Sequence, residues 1–215
     1  MTRLPRRARA TGDRPHGRAR WRTRARRERG AVLAEFLLFV PLILLCGLAA
    51  VEIGTAYRNR LTVSGALRTT ARVAANAGND GSADWQAVAA FRSSLSGISL
   101  ADVDRVVIYK AAPNGDPLDP SCLSVVAVAS RGVAGACNVY SSTLLAAATA
   151  ADFTSDAAVG CSGNYDAQWC PIGRVAESDA LGVWVRVRQN YATQFLPSHV
   201  NLTDRVIMRI EPEVR

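Results

Sequence analysis

A run of 21 residues from Ala31 to Val51, AVLAEFLLFVPLILLCGLAAV, carries a single charge, Glu35, and constrains this chain more than any other feature. As an α-helix it would measure roughly 31 Å, the thickness of the hydrocarbon core of a bilayer. A helix buried in a soluble core stops sooner and keeps a polar face. Here Leu37, Leu38, Phe39, Val40, Leu42, Ile43, Leu44 and Leu45 are apolar all round. The run reads as one membrane span. Pro41 in its middle removes a backbone hydrogen bond and predicts a kink.

Charge sets the orientation. Residues 1–30 hold 12 Arg against Asp13 and Glu28, while the remaining 185 residues hold 14 basic and 16 acidic side chains. The net charge of +8 therefore describes a basic leader joined to a nearly neutral body. The positive-inside rule keeps the leader in the cytoplasm and sends everything after Val51 across the cell membrane. The leader has no interleaved aromatic except Trp21, so no nucleic-acid partner is expected, and the lipid bilayer itself is the first partner.

Cysteine usage agrees with export. Cys46 lies in the apolar run as a small filler, and Cys122, Cys137, Cys161 and Cys170 all fall in the body. Their spacing fits no common zinc pattern, whereas an even number outside the cytoplasm suits two disulfides. Three pairings are open; the short-range one, Cys122 with Cys137 and Cys161 with Cys170, is preferred. Gly47-Leu48-Ala49 would also serve ordinary signal peptidase, which leaves a freely secreted binding domain as the rival reading. An uncleaved anchor displaying such a domain is a third.

Glu35 is the most informative residue. A carboxylate inside a bilayer costs on the order of 2.5–3.5 kcal/mol, so it has a partner or a purpose. Its surroundings are ordered: Arg29-Gly30, then Ala31-Val32-Leu33-Ala34, then Glu35-Phe36 and the apolar run. A glycine followed five residues later by Glu-Phe and a long apolar stretch resembles the processing site of type IV pilins and pseudopilins. The stretch from Arg29 to Ala75 narrows this, because Pro41, the set Gly47, Glu52 and Gly54, and an Ala/Arg-rich continuation from Ala66 to Ala75 resemble the TadE-like proteins of tight-adherence pili. That resemblance implies cleavage by a prepilin peptidase between Gly30 and Ala31. It makes Glu35 the fifth mature residue, with Phe36 beside it, where it registers subunits by meeting a neighbour's new N-terminal amine. The implied partners are the peptidase, a major pilin, other TadE-like subunits, and a membrane platform with its ATPase.

Beyond the span, a helix continues to about Ala77, with Ile53, Tyr57, Leu61, Leu67 and Ala71 as its apolar set. Asn76 to Gly81 ends it. A second helix follows with Trp85, Val88, Phe91 and Leu95 on one side, capped by Asp84 or Ser82. Arg105–Ala111, Leu123–Ala129, Gly182–Tyr191 and Val206–Ile210 read as strands, and Asn114 to Pro117 as a turn. Ser142–Phe153 reads as a short Ala-rich helix, and residues 160–174 as a loop stapled by Cys161 and Cys170.

The layout is thus a leader (1–30), a transmembrane helix (31–51), an extracytoplasmic helical spine (52–78) and a disulfide-stapled ectodomain (79–215). The fold class is α+β, with the long helix first and a small antiparallel sheet with short helices after it. Catalytic signals are thin. His16 and His199 have no nucleophile at a recognisable spacing, Asp102 and Asp104 read as solvated, and Asp152, Asp156 and Asp166 lack EF-hand order. No enzyme and no cofactor are expected. The reading is a membrane-anchored minor pilin or pseudopilin of a pilus assembly or related secretion system.

Overall fold

The computed structural model describes residues 18–112, 118–124, 131–154, 160–174, 180–191 and 199–210, with side chains from Val32 onward. The expected turn at 114–117 lies outside the described residues. The chain divides into two compact units, Met1–Ala50 and Val51–Arg215. The first consists, as described, of one helical stretch. The second is an α+β body.

Helix α1 runs Arg18–Ala77 and stays helical through Pro41. Within the second unit its buried stripe is Val63, Ala66, Leu67, Thr70, Ala71 and Ala74. These positions recur at three- and four-residue steps, and the alanines let the helix backbone approach its neighbours closely. The helix stops where Gly78, at φ 58°, donates its N–H to the Ala74 carbonyl at 3.2 Å, a left-handed cap that glycine enters without a Cβ penalty. The apolar set expected from sequence divides: Leu67 and Ala71 are buried, but Ile53, Tyr57 and Leu61 are exposed.

Helix α2 (Ala83–Ser94) buries Ala87, Val88 and Phe91. The strands are β1 (Val103–Ala111), β2 (Gly132–Val133), β3 (Cys137–Ser141), β4 (Ala180–Asn190) and β5 (His199–Arg209). They form one antiparallel sheet in the order β2-β3-β1-β4-β5. Two short helices, α3 (Pro120–Ser124) and α4 (Ser142–Ala147), lie between these strands in the chain.

Several expectations change. Leu123 does not open a strand but sits in α3, and residues 125–130 lie outside the described residues. The single helix expected over Ser142–Phe153 is two pieces, because Ala148 and Thr149 turn extended before a 3-10 turn at Ala150–Asp152. The last strand starts seven residues earlier than Val206, at His199.

The sheet has a core on each face. One face, with Val106, Ile108, Val183, Val185 and Val187, packs with Leu67, Val88, Phe91 and Phe153. The other, with Val107, Tyr109, Val139 and Trp184, packs with Leu118 and the Cys122–Cys137 disulfide. On that second face Tyr109 lies opposite Gly182 in the register, and a Cβ at Gly182 would come within 2.1 Å of the tyrosine ring. The glycine leaves the space that the ring fills.

A charged network is sealed inside the body. Arg174 Nη1 meets Asp84 Oδ1 at 2.7 Å, with both side chains wholly buried. The other Asp84 oxygen accepts from Tyr140 Oη and Asn138 Nδ2, each at 2.7 Å. Asn138 Oδ1 accepts from the Trp169 N–H at 2.8 Å, and the Trp169 carbonyl accepts from Asn138 and Arg174 at 2.9 and 3.0 Å. The Arg174 guanidinium also lies 4.1 Å from the centroid of the Trp169 ring. Of the two expected caps, Ser82 holds the N-cap position of α2 without a side-chain capping bond, and Asp84 stands in the first turn, pointing inward. Replacing Arg174 by Met should cost about 3–5 kcal/mol, because it strands a buried carboxylate. Chemical denaturation of the variant against the parent checks this, and a loss below about 1 kcal/mol would show the pair to be dispensable.

Candidate functional site: the apolar helix and its carboxylate

Between Val32 and Leu48 the first unit leaves its large side chains uncovered: Phe36 is 65% exposed, Leu38 71% and Ile43 66%. Each such side chain left in water forgoes about 1.5–3 kcal/mol relative to burial. A surface of this kind needs lipid or another protein around it. The described helix from Val32 is long and apolar enough, by length and composition, to cross a membrane, which is consistent with single-pass anchoring.

Glu35 is exposed on this helix, and among the described residues no cation stands within ion-pair distance of it. Phe36 follows at the next helical position. Gly30 and Ala31 fall inside α1 by backbone. A protease reading this bond would have to unwind a turn of helix, since the amides there are engaged in the helical ladder. Cys46 is a free, exposed thiol among apolar neighbours. Further along, Glu52 is buried within the second unit at 5% exposure, while Gly47 and Gly54 have open space where a Cβ would stand.

The four body cysteines form two bonds, Cys122 with Cys137 and Cys161 with Cys170, over separations of 15 and 9 residues. This is the short-range pairing preferred from the spacing. The first ties α3 to β3. The second closes the loop that carries Asp166 and Trp169 to the buried network. Asp166 is fully buried and accepts from the Thr154 N–H and, at 2.8 Å, from its hydroxyl. Burial raises its carboxyl above the ordinary value; the Thr154 bond opposes this and the charge of Asp84 adds to it. Tyr140 is likewise held well above the ordinary phenol value, first by burial and then by the Asp84 charge.

Other acids fall in unexpected company. Asp102 ends a 3-10 turn, whereas Asp104 lies in β1 and pairs with Arg105 at 3.0 Å and Arg186 at 3.6 Å. Asp152 caps its own turn through Thr149, which lowers its carboxyl, and Asp156 and His16 lie outside the described residues. His199 opens β5, exposed. Among the described residues, no group of three or more His, Cys, Asp or Glu is placed to hold a metal ion. The buried pair was missed because Asp84 looks locally like a capping residue.

Residues 30–72 match the family model described as TadE-like protein. The match begins at Gly30, spans Glu35, Phe36, Pro41 and Glu52, and ends inside α1, so it takes in the uncovered helix and part of its continuation. Over this stretch the chain is similar to TadE-like proteins, a family of tight-adherence pilus systems. A search of curated proteins finds no match to the chain, and neither does a search of solved structures.

Asp166 gives a pH dependence with a definite sign. A carboxyl whose folded pKa is raised binds its proton more tightly in the folded state, so its contribution to stability is full below the unfolded value. That contribution is lost as the pH rises through the raised value. Asp166→Asn keeps an acceptor for Thr154 and removes the charge. Stability measured from about pH 4 upward should fall less steeply in the variant than in the parent. Parallel curves would exclude Asp166 as a titrating group.

Proposed function

We propose that this chain is a membrane-anchored minor pilin or pseudopilin of TadE-like type, acting in the assembly of a tight-adherence pilus or a related secretion system. The observation that carries the reading is a coincidence: the family match covers the stretch whose apolar side chains the fold leaves bare and whose only charge is Glu35. The leader's excess of arginine favours a cytoplasmic N-terminus and an extracytoplasmic body. Two disulfides in the body suit an oxidising compartment.

In this reading a prepilin peptidase hydrolyses the Gly30–Ala31 bond, leaving a carboxylate on Gly30 and an ammonium on Ala31. The leader and its charge are removed. Glu35 of one subunit then meets the new ammonium of a neighbour in low dielectric, where each ion offsets part of the other's desolvation. The pair acts as a register mark on helices that are otherwise greasy and slide freely. The exposed side chains of Ile53, Tyr57 and Leu61 extend the apolar surface past the span, where lipid or sibling subunits can cover them. The major pilin, other TadE-like subunits and a platform with its ATPase are the partners this role requires. The role is structural, without catalysis or cofactor.

Two experiments test it. Expressed with its peptidase, the chain should yield a mature N-terminus at Ala31, and Gly30→Val should block processing by crowding the scissile bond. A mature end at Ala50 would instead select the secreted reading. Glu35→Leu removes the intramembrane charge, so membrane insertion should hold or improve. Pilus assembly or partner crosslinking should fall at the same time, with Glu35→Gln between Leu and the parent. Full assembly with Leu would reduce Glu35 to a tolerated interfacial charge.

A further inference from the structure

The sheet face that carries Trp184 gathers positive charge. Along β4, Trp184, Arg186 and Arg188 alternate onto this face, and the register sets Arg105 of β1 opposite Arg186 and Arg205 of β5 opposite Trp184. Like charges directly opposed across strands are destabilising, so Arg105 and Arg186 need an answer. It comes from a shift in register between Val103 and Arg105, a bulge that lets Asp104 reach both guanidiniums, at 3.0 and 3.6 Å. One carboxylate thus serves two arginines. Arg188 and Arg205, both exposed, have no ion-pair partner among the described residues. The charge of Arg205 acts on the hydroxyl of Tyr109 across the sheet, and that buried hydroxyl has no hydrogen-bond partner among the described residues.

Beside these arginines the same face holds a concavity of about 380 Å³, walled by Leu118, Leu123, Thr203, Asp204 and Arg205 and floored by Trp184. The volume lies at the small end of ligand sites and suits one compact unit of a larger chain. Its chemistry is mixed. Arg205 and the Thr203 hydroxyl supply donors and that hydroxyl can also accept, whereas Asp204, opposite Val185 in the register, belongs to the other face of the sheet. A ligand that uses both groups is anionic and carries hydroxyls of its own. Nucleic acid fits less well, because single strands bind on exposed aromatic rings, and here Trp184 is only 8% exposed and Tyr109 1%. A lipid surface fits less well too, because the site is recessed between leucines that point into the core.

We infer that this face, centred on Arg186, Arg205 and the concavity over Trp184, binds a carboxylated polysaccharide. One uronate unit occupies the hollow and its carboxylates meet the arginines. A guanidinium fork matches a carboxylate in the plane of two hydrogen bonds, and neighbouring arginines on β4 lie roughly 7 Å apart, within reach of successive charges on such a polymer. The inference goes beyond the assembly role and does not depend on processing at Gly30.

The test labels arginines of the detergent-solubilised full chain with phenylglyoxal and locates the adducts by mass spectrometry, with and without alginate. Because the Arg-rich leader attracts any polyanion, site-resolved labelling is the readout. Alginate should slow labelling of Arg186, Arg188 and Arg205 about tenfold, the protection expected when hydrogen bonds to a charged group form, and leave Arg68 and Arg72 unchanged. Dextran, which is neutral, should protect none of them. Arg205→Gln, at an exposed position, should abolish the protection of Arg186 without altering the circular dichroism spectrum. Unchanged labelling at the sheet arginines would overturn the inference. So would equal or stronger protection by an oligothymidylate or by phosphatidylglycerol vesicles, which would reassign the face to nucleic acid or to the membrane.

Discussion

The body is organised around an ion pair that water does not reach. Asp84 and Arg174 come from segments 90 residues apart, and their contact at 2.7 Å joins α2 to the stapled loop. Burying either charge alone is expensive, which makes the pair conditional on everything around it being in place. Tyr140 and Asn138 on β3 satisfy the second carboxylate oxygen, and Trp169 supplies both a carbonyl and a ring to the guanidinium. Apolar packing of Val88 and Phe91 holds α2 against the sheet, and the directional bonds of this network add a fixed point for its first turn. The Cys161–Cys170 bond shortens the excursions of the loop that must deliver Trp169 and Arg174 together.

One helix serves two environments. From Val63 to Ala74 its sequence is graded for protein, with small residues on a narrow stripe and arginines elsewhere. Before Val51 it has no stripe at all, because its apolar residues face every direction. The change in pattern falls close to the boundary of the two compact units, between Ala50 and Val51. The family similarity covers this transition and stops within the helix, taking in both the uncovered apolar stretch and part of the stripe buried in the body.

Much of this was legible from the residues alone. A long apolar run in water is driven to leave it, so the apolar segment and the position of Glu35 within it can be read without any fold. The alternation of GVWVRVRQN predicts a strand with Val183, Val185 and Val187 on one face, and β4 is that strand, but its first half is buried on both faces because Trp184 enters the second core. The close spacing of the cysteines made local disulfides the economical pairing. The stripe on α1, the partner of Asp84, the sharing of Asp104 between two arginines and the hollow over Trp184 were decided only by tertiary structure. Each depends on residues brought together from strands and loops far apart in sequence. The periodicity around Ile53, Tyr57 and Leu61 is as good as that around Leu67 and Ala71, yet only the latter meet the sheet, because burial is a property of what lies opposite. Asp84 is a capping residue by its neighbours and a core ion by its surroundings, and no local pattern distinguishes the two. A charge's fate is set by the dielectric and the partner it finds, and those exist only once the chain has folded.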